Sequence, residues 1–162
     1  MKINSNSLKL PLNYSQRPAQ KVDEKEIQEL IFTVLQEYNL QPKPDTTDKD
    51  LFDIEDFYKS GYFGVISSDS KIIGTYAFLP LTKSCGELRK MYVLPEGRGK
   101  GLGSWMTNHV IEMAKENGYE EVELETASQM KEAIGLYLKL GFKEIQFQNK
   151  TPRCDKAFKL KL

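Results

Sequence analysis

Cysteine is scarce in this sequence. Cys85 and Cys154 are the only two, far apart and without the spacing of metal ligands, so no metal centre is expected and a reduced, intracellular protein is. Net charge is absent, with 23 Lys and Arg against 23 Asp and Glu. That balance gives no overall electrostatic reason to bind nucleic acid or an anionic membrane. Long apolar runs are missing too. The opening MKINSNSLKLPLN lacks the apolar stretch of a signal peptide, and no segment is long enough to span a bilayer, so a cytoplasmic location follows by default. Histidine occurs once, at position 109, in line with Leu102, Trp105, Met106 and Met113 on a helical stripe, where a packed residue is expected rather than a catalytic one.

What is present suits one folded domain over residues 1–162, with residues 1–13 as a flexible lead: 40% of residues are hydrophobic and 28% charged. Leu8, Leu10, Leu12 and Tyr14 alternate as a short strand would. Ile27, Leu30, Ile31, Val34, Leu35 and Tyr38 form one apolar stripe, predicting a helix over Asp23–Tyr38 with Asp23 and Glu26 as a capping box. Asp48–Lys59 reads as a short acidic helix; Asp50, Asp53, Glu55 and Asp56 face either a cationic substrate or solvent.

Two strands, Tyr62–Ser67 and Lys71–Leu81, are joined by a turn at Ser68-Asp69-Ser70, and a third strand follows at Glu87–Leu94. A helix over Gly101–Asn117 leads to a strand at Glu121–Thr126, which a βαβ crossover makes parallel to the third. Helix Gln129–Lys139, with Met130, Ala133, Ile134, Tyr137 and Leu138 on one face, and strands Phe142–Gln148 and Asp155–Leu162 around a turn at Thr151-Pro152 complete the chain. The order predicts an α/β (α+β) fold, a mixed and mostly antiparallel sheet with helices on both faces.

The stretch Arg98-Gly-Lys-Gly-Leu-Gly103 lies between a strand and a helix. A helix start presents unpaired N–H groups and a partial positive charge of roughly half an electron, and glycines let an anion approach that backbone. Arg98 and Lys100 add charge beside it, so phosphates are the expected ligand. A P-loop pattern is not satisfied by any glycine here, and a dinucleotide fingerprint fails because Ser104 fills its last glycine position and three antiparallel strands precede it.

The pattern that fits is Arg-x-x-Gly-x-Gly, as Arg98, Gly101 and Gly103, and it resembles the pyrophosphate loop of the GCN5-related N-acetyltransferase (GNAT) superfamily. The resemblance extends in order over about half the chain. Leu88-x-x-Met-Tyr-Val93 looks like the family's central strand, and Pro95 leads into the loop. Ala114 and Gly118 match the helix end, while Ala133, Leu136-Tyr137 and Leu140-Gly141-Phe142 match the motif A-x-x-L-Y-x-x-x-G-F. The resemblance implies a GNAT-type acyl-CoA N-acyltransferase fold with the fourth and fifth strands splayed apart. It implies that the backbone of Arg98, Gly99, Lys100, Gly101, Leu102, Gly103 and Ser104 holds the pyrophosphate of acetyl-CoA. Met91, Tyr92 and Val93 would pair with the pantetheine arm, and the N–H of Val93 would polarise the thioester carbonyl, a role commonly worth about 3 kcal/mol.

The same resemblance makes Tyr137 the proton donor to the departing thiolate and Glu87 the general base, with no acyl-enzyme and no metal. Tyr137 read as a packing aromatic, and Glu87 read as a charge paired with Arg89 or Lys90, are the competing roles. Period-two alternation puts Glu87, Arg89, Met91 and Val93 on one face. Cys85 has no nearby histidine to make it a nucleophile. The family's frequent asparagine before its second motif is Met130 here, so that cofactor contact is in doubt, with Ser128 or Gln129 as substitutes.

The implied reaction is direct transfer of an acetyl group from acetyl-CoA to a primary amine of a small molecule or protein, by a monomer or homodimer. A non-catalytic acyl-CoA sensor or interaction domain is the rival from another class; Glu87 and Tyr137 favour the enzyme. Acetylation of a charged tRNA would want a basic surface, which the zero net charge disfavours.

Overall fold

The structure, a computed structural model, describes residues 9–147 and 153–162. Its sheet grows from a tight hairpin. Strands β2 (Tyr62–Ser68) and β3 (Lys71–Pro80) are rich in Val, Ile, Tyr and Phe, and only Asp69 and Ser70 separate them. Both turn residues have positive φ, 48° and 67°, the twist that matches a two-residue hairpin. Strand β4 (Cys85–Val93) adds antiparallel to β3. Helix α3 (Leu102–Glu116) then carries the chain to β5 (Glu121–Thr126), which pairs parallel with β4 as the crossover requires.

Strand β7 (Lys156–Lys161) runs antiparallel to β5, β6 (Lys143–Ile145) lies outside β7, and β1 (Ser15–Pro18) closes the other edge. The seven strands stand in the order β1-β2-β3-β4-β5-β7-β6, a mixed and mostly antiparallel sheet. The early strand lies later than the leucine alternation suggested, and Leu12 is exposed. Leu8, Gln148 and the Thr151-Pro152 turn lie outside the described residues.

Helix α1 (Glu24–Glu37) buries its apolar stripe as its period demands. Each of Ile27, Leu30, Ile31, Val34 and Leu35 is fully covered, worth about 2 kcal/mol apiece against exposure. The expected capping box is absent. Asp23 accepts instead from the Gln20 N–H and pairs with Arg17, while Glu26 accepts from the Ile72 N–H of β3. The acidic segment forms a 3-10 turn at Lys49–Phe52 and a single α-helical turn, α2 (Ile54–Phe57). Helix α4 (Lys131–Lys139) starts two residues later than expected; it buries Tyr137 but leaves Leu138 exposed.

Helices cover both faces. Paired strand residues share a face. Tyr62 and Tyr76 meet His109 of α3, whereas Phe63, next along β2, packs against Tyr58 just past α2.

One irregularity positions everything else. Thr75 of β3 opposes Tyr92, but Ala77 opposes Arg89, so β4 carries an extra residue. Lys90 there has φ 50°, and its carbonyl accepts from the Thr75 hydroxyl at 2.7 Å. Such a bulge bends the strand and increases its twist. The β4–β5 ladder runs through Cys85, Gly86 and Glu87 and goes no further. Beyond it the two strands splay, leaving one backbone edge of Met91–Val93 without a strand partner.

Candidate active site

The glycine turn sits at the mouth of this splay. Gly99 and Gly101 have φ of 72° and 82°, a region that β-carbons disfavour. Gly101 is the N-cap of α3 and offers no side chain to its first-turn N–H groups, so those donors stay available to a ligand. A β-carbon added at either glycine would meet nothing within 4 Å, so the turn faces open space. That space is a cleft of about 400 Å³ bounded by α1, the end of β4, the glycine turn and α4. Arg98 is not poised over the turn. Its Nε donates to the Val93 carbonyl at 2.9 Å, and its guanidinium grips Glu37 of α1 at 2.7 and 3.2 Å. Across the cleft, the Tyr38 hydroxyl donates to Glu132 at 3.3 Å.

The same carbonyl orients the neighbouring amide. The Leu94 N–H donates to Ile73 of β3, so the Val93 N–H and C=O, one residue back, point the other way, into the splay. The cleft continues inward. Met91, Tyr92, Met130 and Ala133 border both it and a smaller cavity that also reaches Tyr137, Glu125 and Cys154. A further recess beside that cavity is bordered by Glu87, Arg89, Tyr92 and Arg153.

The bulge corrects the expected alternation. Glu87 opposes Leu79, Arg89 opposes Ala77 and Tyr92 opposes Thr75, so these three share the face that carries α2. Met91 and Val93 take the other face, where Met91 Sδ accepts from the Thr107 hydroxyl of α3. The structure therefore sets Glu87 with Arg89 and Tyr92 around the recess, while Tyr137 borders the adjoining cavity with Tyr92 and Met91.

Burial raises the Glu87 pKa, and the charges of Glu125 and Asp50 raise it further; Arg89, at 3.4 Å, opposes them. Burial also pushes the Tyr137 phenol well above its ordinary value, so it stays protonated at neutral pH. The Glu87 direction suits a base; the Tyr137 direction keeps the phenol protonated while making it a weaker acid.

Beneath these groups lies an ion cluster that the linear sequence did not signal. Asp48 is fully buried. It accepts from Lys90 at 2.7 Å, from Arg153 at 2.6 and 2.8 Å, and from the Lys43 N–H at 2.8 Å. Asp50 pairs with Lys90 at 3.1 Å and accepts from the Tyr58 hydroxyl at 2.5 Å. Three regions distant in sequence meet here. The adjacent basic pair Arg89-Lys90 inside a strand was the one available hint, since strict alternation sends one of them to each face.

The acids expected to greet a cationic substrate divide differently. Asp50 is consumed by this cluster; Asp56 pairs with exposed Lys59, and Glu55 accepts from the Lys21 N–H. His109 is packed as expected, stacked on Trp105 with ring centres 4.7 Å apart and bonded to the Tyr76 hydroxyl at 2.8 Å. Ser128 is occupied by Asp155. Cys85, Glu121 and Glu123 cluster closely enough to hold an ion. There the Lys159 ammonium sits 2.8 Å from each glutamate, and burial raises the Cys85 thiol to about 11, so it keeps its proton.

A parallel pair splayed by a bulge, with a glycine-rich helix start facing the gap, defines the acyl-CoA N-acyltransferase class of fold. A model described as the Acetyltransferase (GNAT) family matches residues 29–142, and the chain belongs to that family. Over 89 residues it is 40% identical to the uncharacterized N-acetyltransferase YjgM of Escherichia coli K12, a stretch covering 52% of this chain and 53% of that protein. The chain spans about half the length of the curated relatives it matches. A GNAT-family acetyltransferase of Staphylococcus aureus Mu50 superposes with a TM-score of 0.86 at 23% identity, over 91% of this chain and 98% of its own. YncA of Salmonella typhimurium, solved with its cofactor acetyl-CoA, superposes with a TM-score of 0.70 at 20% identity, over 92% and 94%. At these identities the two structures establish the fold.

Proposed function

We propose that this chain is an acetyl-CoA-dependent N-acetyltransferase that acetylates a primary amine directly. The observation that carries this reading is the adjacency of three cavities that share Tyr92: one at the glycine turn and the end of β4, one bordered by Tyr137 and one bordered by Glu87. The open space above Gly99 and Gly101 fits a pyrophosphate, held by N–H groups from Gly99 to Ser104; the Arg98 N–H, expected among them, donates to the Pro95 carbonyl instead. Bound there, acetyl-CoA supplies the acetyl group as a thioester. The chain contributes the Val93 N–H, aimed into the splay as a donor to the carbonyl oxygen.

Amine chemistry follows from the carboxylates. An ordinary amine of pKa ~10.4 arrives protonated and must lose a proton. Glu87, with Glu125 beside it, offers the negative charge to attract the ammonium and the raised basicity to take that proton. Tyr137, on the wall of the adjoining cavity, is the proton donor. Among the described residues neither cysteine forms a disulfide, which suits a reducing compartment such as the cytoplasm. Among the described residues no helix is long and apolar enough to cross a membrane.

The test is a panel of primary amines, arylamines and lysine peptides assayed for acetyl-CoA-dependent thiol release. Release with at least one amine is expected. Coenzyme A binding without release on any member overturns the enzyme reading in favour of an acyl-CoA sensor.

A further inference from the structure

The cleft and both inner cavities share one side chain, that of Tyr92. The bulge at Lys90 puts it there: without the extra residue, Tyr92 would lie on the face opposite Glu87 and Arg89. Arg153 lines both inner cavities beside it; burial raises the Tyr92 phenol above its ordinary value, and the charge of Arg153 acts against that rise. Arg153 has no freedom to leave. Both its terminal nitrogens are held by fully buried Asp48, at 2.6 and 2.8 Å, and only 6% of its side chain is exposed. Asp48 is itself tied to Lys90, the residue that forms the bulge. The device that turns Tyr92 toward the cavities and the device that holds a cation beside them are thus one cluster.

We propose that Tyr92 is a second proton-donating phenol of the transfer site, and that Arg153, braced by Asp48, positions it and stabilises the phenolate it becomes. This rests on the acetyltransferase reading. The acceptor ammonium first gives a proton to Glu87. The neutral nitrogen then bonds to the acetyl carbon as the carbon–sulfur bond breaks, and the electron pair leaves on sulfur. One phenol proton passes to that thiolate, from Tyr92 on a route parallel to that through Tyr137, and the Tyr92 phenolate takes the second proton from the new amide nitrogen. The balance is one amide, one thiol and one proton released. A donated proton leaves negative charge on oxygen, and a guanidinium lining the same cavity favours that charge. Arg153 gives Tyr92 this support.

The test compares Tyr92→Phe, Arg153→Lys and Arg153→Met with the parent, using an amine found active in the panel. Two donors are compared: acetyl-CoA and its selenium analogue, whose selenolate is a far weaker base and leaves with little need for a proton. With acetyl-CoA, Tyr92→Phe lowers kcat by about tenfold to a hundredfold and changes the KM for acetyl-CoA by less than about twofold. With the selenium donor most of that loss disappears. Arg153→Met behaves like Tyr92→Phe, and Arg153→Lys recovers part of the rate. An unchanged kcat in Tyr92→Phe, or an equal loss on both donors, overturns the role of Tyr92 while leaving the transferase reading intact. A parent protein that releases no thiol with any amine overturns both.

Discussion

Lys90 holds Asp48 at 2.7 Å from inside a β-bulge, so the residue that distorts the central strand is anchored by a fully buried carboxylate 42 positions earlier. Burial acts to raise the Asp48 pKa, but Arg153 and Lys90 outweigh it and hold the carboxyl well below the usual range. A lowered folded-state pKa gives stability that is present above the unfolded value, ~3.9, and is lost as pH falls through the folded one. Asp48→Asn leaves two buried cations without their anion. We expect it to cost about 3–5 kcal/mol in urea unfolding at pH 7, and to flatten the acid limb of stability below about pH 4. A cost below about 1 kcal/mol contradicts the anchoring role.

The glycine turn makes a separable prediction. Gly101→Ala forces a β-carbon into a left-handed conformation, costing about 1–2 kcal/mol, and places a methyl group in the open space of the cradle. Calorimetry is expected to show acetyl-CoA affinity falling about tenfold or more, equivalent to about 1.4 kcal/mol. Gly135→Ala is the control: it lies within α4 with open space around it, and should raise stability by about 0.5–1 kcal/mol without changing that affinity.

Glu87 and Tyr137 are separable by pH. The raised Glu87 pKa places an acidic limb in the rate profile above the ordinary carboxylate range, because the base works only when deprotonated. Glu87→Gln should lower kcat by about a hundredfold and abolish that limb. Tyr137→Phe should lower kcat and keep the limb, with acetyl-CoA binding unchanged by calorimetry. An unaltered limb in Glu87→Gln assigns the base elsewhere.

His109 gives the fold a second pH dependence. Burial lowers its pKa, with Glu116 partly opposing. Its contribution is complete above the unfolded value, ~6.5, and is lost as pH falls toward the lower folded one. The Tm should therefore decline between about pH 6.5 and 5, and His109→Gln should flatten that decline. An identical slope in the variant places the titration on another group.

Local signals carried much of the fold because they rest on local physics. The α1 stripe, the hairpin at Asp69-Ser70, the parallel crossover and the glycine helix start each need only a short window of chain. Tyr137 and Glu87 were singled out through motif order, and they border adjoining cavities. The companions of Glu87 were misread, because period-two alternation assumes an unbroken ladder and β4 has an extra residue at Lys90. The acids of residues 48–56 looked like one surface because sequence shows their spacing and not their partners; Asp48 and Asp50 turned inward to Lys90 and Arg153.

The sequence alone determined most of the strands and helices, and that a glycine-rich turn begins α3, since these follow from side-chain period and backbone freedom. Tertiary structure decided which face each side chain of β4 meets and where the sheet opens. Both depend on one bulged residue whose conformation is set by carboxylates distant in the chain, and buried charges settle only where the whole fold brings their partners together.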